Sequence, residues 1–159
     1  MKVFKTKVII DTNILFNDFL HRYAQFGLST SKKELNNRRD CNNAITIIRN
    51  RRYIKTIIAD FALMKVISLM DKTKVPKSIQ VAEIEYLQKN HTIVPLNGTL
   101  ITKAVNEIKK NQEVKDIEDA MQYTLASTHN CSHLLTLNTR DFTPFDIKVI
   151  KPDKARLIY

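Results

Sequence analysis

Five short apolar runs recur along the chain with helix-forming stretches between them, and this alternation constrains the fold more than any other feature. Residues 3–10, Tyr53–Ala59, His91–Pro95, Leu134–Leu137 and Ile147–Ile150 read as buried strands. Between them the apolar period is helical. A helix is expected from Asn13 to about Tyr23, a second from a cap at Asp60 to about Asp71, and a third opened by Pro76 and running to about Asn90. Leu100, Ile101, Ala104, Val105 and Ile108 form one further stripe. Ile117, Ala120, Met121, Thr124 and Leu125 form another, within a helix from Asp116 to Asn130. Short strands alternating with helices give an α/β fold with a mainly parallel sheet. The polar stretch Gln25–Asn37 reads as a loop, after which Cys41, Ala44, Ile45 and Ile48 return to helical spacing.

No repeat, low-complexity stretch or Pro/Gly/Ser linker divides the 159 residues. A single domain over 1–159 is therefore expected, with a polar and basic insert around 25–53. A chain of this length buries roughly 68–70% of its unfolded surface, enough to fold without a disulfide or metal staple. Cys41 and Cys131 form no CxxC or Cys/His spacing, which argues against structural zinc and for a reduced, cytoplasmic compartment. No apolar run approaches the ~20 residues that span a bilayer, and Met1–Lys7 has no signal-peptide cleavage pattern. No membrane association is expected.

Twenty-six Lys and Arg against sixteen Asp and Glu leave a net charge of +10. A surplus of that size favours phosphate backbones, although a lysine-rich composition alone would produce it. The densest basic segment comprises Lys32, Lys33, Arg38, Arg39, Arg49, Arg51, Arg52 and Lys55. It is either a solvated face or an RNA-backbone clamp carried by Arg49, Arg51, Arg52 and Lys55, with Tyr53 placed to stack a base. Only two glycines occur, so a P-loop and a G-x-G-x-x-G turn are excluded. HExxH and G-x-S-x-G are absent. The phosphatases that open with a strand-end Asp need a second Asp two positions on, where this chain has Asn13.

In parallel sheets ligands collect beyond the carboxyl ends of the strands. Asp11 stands there after Val8-Ile9-Ile10, and Asn138 and Asp141 follow Leu134–Leu137. The helix opening Asp116-Ile117-Glu118-Asp119 adds more acids. At ~100° per residue, Asp116, Asp119 and Tyr123 fall within about 60° of one another, with Glu118 about 100° from Asp119. Acids in a first turn also serve simply as caps, and Asx residues after a strand often make turns. Gathered together, Asp11, Asp119 and Asp141 would bind a hard divalent cation, with Asn138 and Asp116 holding waters or a second ion and Glu118 flanking them. In a basic protein this combination implies metal-assisted hydrolysis of nucleic acid.

The run Val8-Ile9-Ile10-Asp11-Thr12-Asn13-Ile14-Leu15 resembles the opening strand of PIN-domain ribonucleases. Asp119-Ala120-Met121-Gln122-Tyr123-Thr124-Leu125-Ala126 resembles that family's third acidic helix, and Leu135-Thr136-Leu137-Asn138-Thr139-Arg140-Asp141-Phe142 its closing strand and acidic loop. Ile147–Pro152 resembles its final strand. The resemblance spans about residues 6–20 and 54–157, and is nearest to bacterial VapC-type toxins and predicted nucleic-acid-binding members. It implies a three-layer α/β/α sandwich and an endoribonuclease whose Mg²⁺ or Mn²⁺ is held by Asp11, Asp119 and Asp141. It also implies that Thr12 and Asn13 orient Asp11, and that Asn138 contacts metal or water. RNA is the substrate it implies, and an antitoxin protein and a second copy of the chain are the partners it allows. Two departures stand out. The stretch Asp60-Phe61-Ala62-Leu63-Met64-Lys65 lacks the Glu many members carry there, and Asp60 comes a turn too early to replace it; the 25–53 insert has no counterpart. The alternatives are a catalytically weak or inactive RNA- or protein-binding module, and a purely structural subunit.

Overall fold

The computed structural model describes residues 6–27 and 31–159. Residues 3–5 of the expected first strand and 28–30 of the expected loop lie outside them. The strands are β1 (Thr6–Ile10), β2 (Ile54–Ala59), β3 (Thr92–Val94), β4 (His133–Leu135) and β5 (Lys148–Ile150). They pair in the order β3-β2-β1-β4-β5, every pairing parallel. The chain thus winds outward from β1 to β3, then returns to the other side of β1 with β4. That reversal opens a crevice at the carboxyl ends of β1 and β4. Val8, Ile9 and Ile10 are fully buried, as are Leu134 and Leu135. Such near-continuous burial is what a parallel sheet covered on both faces requires.

The covering helices are α1 (Thr12–Arg22), α2 (Lys32–Arg49), α3 (Asp60–Lys72), α4 (Lys77–Asn90), α5 (Gly98–Lys110) and α6 (Ile117–Thr128). Short 3₁₀ segments at Ala24–Phe26, Thr139–Phe142 and Pro152–Leu157 complete the described chain. The α/β/α sandwich expected from the sequence is the fold observed. No described helix is long and apolar enough to cross a membrane.

The loop expected over Gln25–Asn37 gives way to helix at residue 32. Ser31 and Glu34 form a reciprocal capping box, the Ser31 hydroxyl accepting from the Glu34 amide and the Glu34 carboxylate from the Ser31 amide. From there α2 buries Arg38, Cys41, Ala44, Ile45 and Ile48, and packs against α1 and the Pro152–Leu157 segment. At the start of α3 the cap position is Ala59. Asp60 instead accepts from the amides of Phe61 at 2.7 Å and Leu96 at 3.0 Å, tying the β2–α3 junction to the loop after β3.

One buried ionic knot joins the helices on one face. Arg22 forks between Asp18 at 2.9 Å and Glu83 at 2.6 Å, carboxylates exposed by only 2% and 1%. Its guanidinium lies 4.3 Å from the centre of the Tyr86 ring, and Asn42 on α2 donates to the free oxygen of Asp18 at 2.9 Å. The knot thereby fixes α1, α2 and α4 to one another.

Candidate functional site

Asp11 leaves β1 as the first residue beyond the sheet, and its backbone stays registered to β4 through its own amide, which donates to the Leu135 carbonyl at 3.0 Å. Its carboxylate is clamped. Oδ2 accepts from the Thr136 hydroxyl at 2.6 Å and from Asn13 Nδ2 at 2.7 Å. Asn13 also reaches across to β4, its Oδ1 accepting from the Leu137 amide at 3.2 Å. The Asn138 amide donates to the Thr136 hydroxyl at 3.0 Å, so β1 and β4 deliver Asp11 and Asn138 as one unit. Burial raises the Asp11 pKa above its ordinary value, against the opposing pull of the Thr136 hydroxyl and the Thr12 backbone amide. The Thr12 hydroxyl itself is buried without a hydrogen-bond partner among the described residues, so Thr12 supports Asp11 through its backbone and not its side chain.

Helix α6 brings the second set of acids. Gln122 Nε2 donates to the Ile10 carbonyl at 3.3 Å, pinning the helix to the end of β1 one turn beyond Asp119. Asp116 occupies the cap position and accepts from the Glu118 amide at 2.8 Å. Its carboxylate therefore has the capping duty that acids in a first turn commonly take. Asp119 is half-buried, and its pKa is pushed up to about 7, first by burial and then by the charges of Asp116, Asp141, Asp11 and Glu118. Four like charges acting on one carboxylate mean that folding has crowded acids from three separate segments.

These groups line a common pocket of about 230 Å³, walled by Asp11, Asp116, Glu118, Asp119, Asn138 and Asp141, with Thr12 and Asn13 beneath. Helix α3 supplies the remaining wall through Leu69 and Lys65. Lys65 Nζ donates to both Glu118 oxygens, at 2.6 and 2.8 Å. Where the resemblance leads one to expect a Glu, this helix sends an ammonium group toward the acids.

The oxygen donors suit a hard cation, and neither Cys nor His is among them. They do not form a closed cage: among the described residues no three Asp, Glu, His or Cys side chains converge into a ready metal-binding group. Glu118 is already engaged by Lys65, and Asp141 is exposed at the rim. Mg²⁺ usually keeps several waters and is gripped by one or two carboxylates. The chemistry of the donor set suits an ion of that hydrated kind rather than a fully caged one.

The expected RNA clamp lies elsewhere. Lys55 is in register with Lys7 at the start of β1, four residues from Asp11, which at ~3.3 Å per residue puts it about 13 Å away along the sheet. Arg49 donates to the Tyr86 hydroxyl at 2.9 Å, and Arg51 to the carbonyls of Arg156, at 3.1 Å, and Ile158. Arg52 and Tyr53 are exposed at that same far end. The basic side chains beside the acids are instead Lys33, Arg140 and Lys151, exposed along a neighbouring cavity of about 430 Å³ that shares Asn138 and Asp141 with the acidic pocket. No ion pair among the described residues engages any of the three.

Sequence reading missed the roles of Thr136 and Lys65, and of this basic wall it named only Lys33, as part of another cluster. Thr136 had a signal, as the one polar residue in Leu134–Leu137. Lys65 had none, being one lysine on an amphipathic helix.

The model of the PIN domain family matches residues 8–147. The chain is 27% identical over 82 residues to Ribonuclease VapC1 of Aquifex aeolicus, a match covering 52% of this chain and 56% of that protein. The chain thus spans little more than half the length of that relative. Among solved structures it resembles a chain of a toxin–antitoxin complex from Klebsiella pneumoniae, with a TM-score of 0.62, 19% identity, and 91% and 97% of the two chains covered. It also resembles a chain of VapBC2 from Rickettsia felis, solved bound to a DNA fragment from its promoter, with a TM-score of 0.64, 12% identity, and 92% and 98% covered. With the sheet order and the family match in agreement, the chain belongs to the PIN-domain family.

Proposed function

We propose that this protein is a divalent-cation-dependent endoribonuclease of the toxin kind, with the acidic pocket as its active site. The observation that carries the reading is that Asp11, Asp116, Glu118, Asp119 and Asp141, drawn from three separate segments, line one pocket at the switch point of the sheet. Burial, and after it this crowding, raises the pKa of Asp119, and a bound cation would offset both. Asp11 and Asp119 would grip Mg²⁺ or Mn²⁺ directly, with Asp141, Asn138 and Asp116 reaching its waters. When bound, the ion supplies positive charge that polarises a phosphoryl oxygen and stabilises the leaving oxygen. Thr136 and Asn13 hold Asp11 in one orientation, so its oxygens need not reorganise during reaction. Lys33, Lys151 and Arg140 give an RNA backbone a path into the pocket.

The relative named as a ribonuclease and the likeness to chains from toxin–antitoxin complexes support this reading and an antitoxin partner. The test is cleavage of single-stranded RNA in Mn²⁺ by wild type and Asp11→Asn, with EDTA as control. Divalent-dependent cleavage lost in Asp11→Asn is the expected result. Equal rates from the two proteins would overturn the proposal, and RNA affinity without cleavage would favour a binding module.

A further inference from the structure

Among the described residues that line the acidic pocket, Lys65 alone carries positive charge. It comes from the middle of α3, and its Nζ lies within 2.8 Å of both Glu118 oxygens. That bidentate contact fixes the ammonium against α6, while half of the side chain stays open to solvent. The charges of Asp11 and Asp116 act on it as well as that of Glu118, so it sits in the field of three of the five acids rather than in an isolated surface pair. The two acids on α3 are committed elsewhere: Asp60 to the amides of Phe61 and Leu96, and Asp71 to Lys77 and Gln80. The helix therefore contributes a cation to the pocket and no carboxylate.

A two-ion phosphodiester site needs enough carboxylates to hold ions roughly 3.5–4 Å apart. Here one of the five acids is already neutralised by an ammonium and a second is capping a helix. Resting on the reading of the pocket as a cation-dependent nuclease site, we propose that Lys65 is its built-in second cation. It occupies the ground a second metal ion would need, limits the pocket to one divalent ion, and presents its ammonium to a non-bridging oxygen of the RNA phosphate. No bond to Lys65 forms or breaks. As phosphate arrives, Lys65 exchanges part of its contact with Glu118 for the incoming oxygen, a swap of one charge-assisted hydrogen bond for another.

The experiment is Mn²⁺ binding, by calorimetry and by electron paramagnetic resonance, to wild type, Lys65→Gln, Lys65→Arg, Lys65→Glu and Asp11→Asn, without RNA. Wild type should bind one ion per chain and Asp11→Asn should lose it. Lys65→Gln should bind more tightly, by about three- to tenfold for the loss of one half-exposed repelling charge. Lys65→Arg should return affinity to the wild-type value, and Lys65→Glu should admit a second ion with the spectral broadening of a coupled pair. One ion per chain in all three Lys65 variants, at unchanged affinity, would overturn the role given to Lys65 and leave the nuclease reading intact. No binding by wild type would overturn both.

Discussion

Replacing Asp119 by Asn should stabilise the metal-free protein, although Asp119 is one of the proposed metal-binding groups. In the folded chain its pKa is raised from 3.8 to about 7. The unfolded chain releases this proton near pH 4, whereas the folded chain retains it to about pH 7. Stability from this group is therefore complete below pH 4, declines as pH rises through about 7, and stays low above that. At 1.36 kcal/mol per pH unit the ceiling is about 4 kcal/mol. Asp119 is only partly buried, and solvent screening reduces this to roughly 1–2 kcal/mol. At about 2–4 °C per kcal/mol for a chain of this size, Asp119→Asn should melt about 2–8 °C above wild type at pH 8 in EDTA, and level with it near pH 4. Thermal unfolding followed by circular dichroism measures this directly. Saturating Mn²⁺ should reverse the order, since only wild type keeps the full ligand set. A folded Asp119→Asn protein melting at or below wild type in EDTA at pH 8 would refute the reasoning, because burying this carboxylate among other acids would then cost nothing.

His91 is buried against Thr56, its Nδ1 2.8 Å from the Thr56 hydroxyl, and burial beside Arg49 and Arg22 lowers its pKa from 6.5 to about 4. Its contribution is present above pH 6.5 and lost as pH falls through 4, up to about 3 kcal/mol; His91→Gln should flatten that acid limb in urea titrations, and an unchanged slope would count against it. Arg22→Met should cost about 3–5 kcal/mol in urea unfolding by stranding Asp18 and Glu83, and a loss under about 1 kcal/mol would show the knot to be dispensable. Thr136→Val removes a charge-assisted hydrogen bond worth about 1.5–3 kcal/mol from the Asp11 carboxylate. Mn²⁺ affinity should fall about tenfold or more with the circular dichroism spectrum unchanged; wild-type affinity would mean that Asp11 needs no clamp.

The sheet was legible because its strands are nearly continuous apolar runs, and Asp11 and Asn138 because strand ends are positions a sequence marks plainly. Helix α2 was harder. Its buried positions include Arg38, so the apolar period is broken, and only the Ser31/Glu34 box announces its start. Arg49, Arg51 and Arg52 were grouped by proximity in sequence, yet the turn into β2 places them at the amino ends of the strands. Lys33, Arg140 and Lys151 meet only through folding, from α2, the loop after β4 and the residue after β5. Lys65 was illegible for the same reason: nothing local distinguishes a lysine that faces acids from one that faces water.

Asp11 is translated more than a hundred residues before Asp119, Thr136 and Asp141. Until β4 slots beside β1, the first carboxylate has neither its hydroxyl donor nor its acidic neighbours. A chain made only as far as β3 therefore cannot assemble the acidic pocket, and on the proposed reading it has no cutting power until β4 is in place.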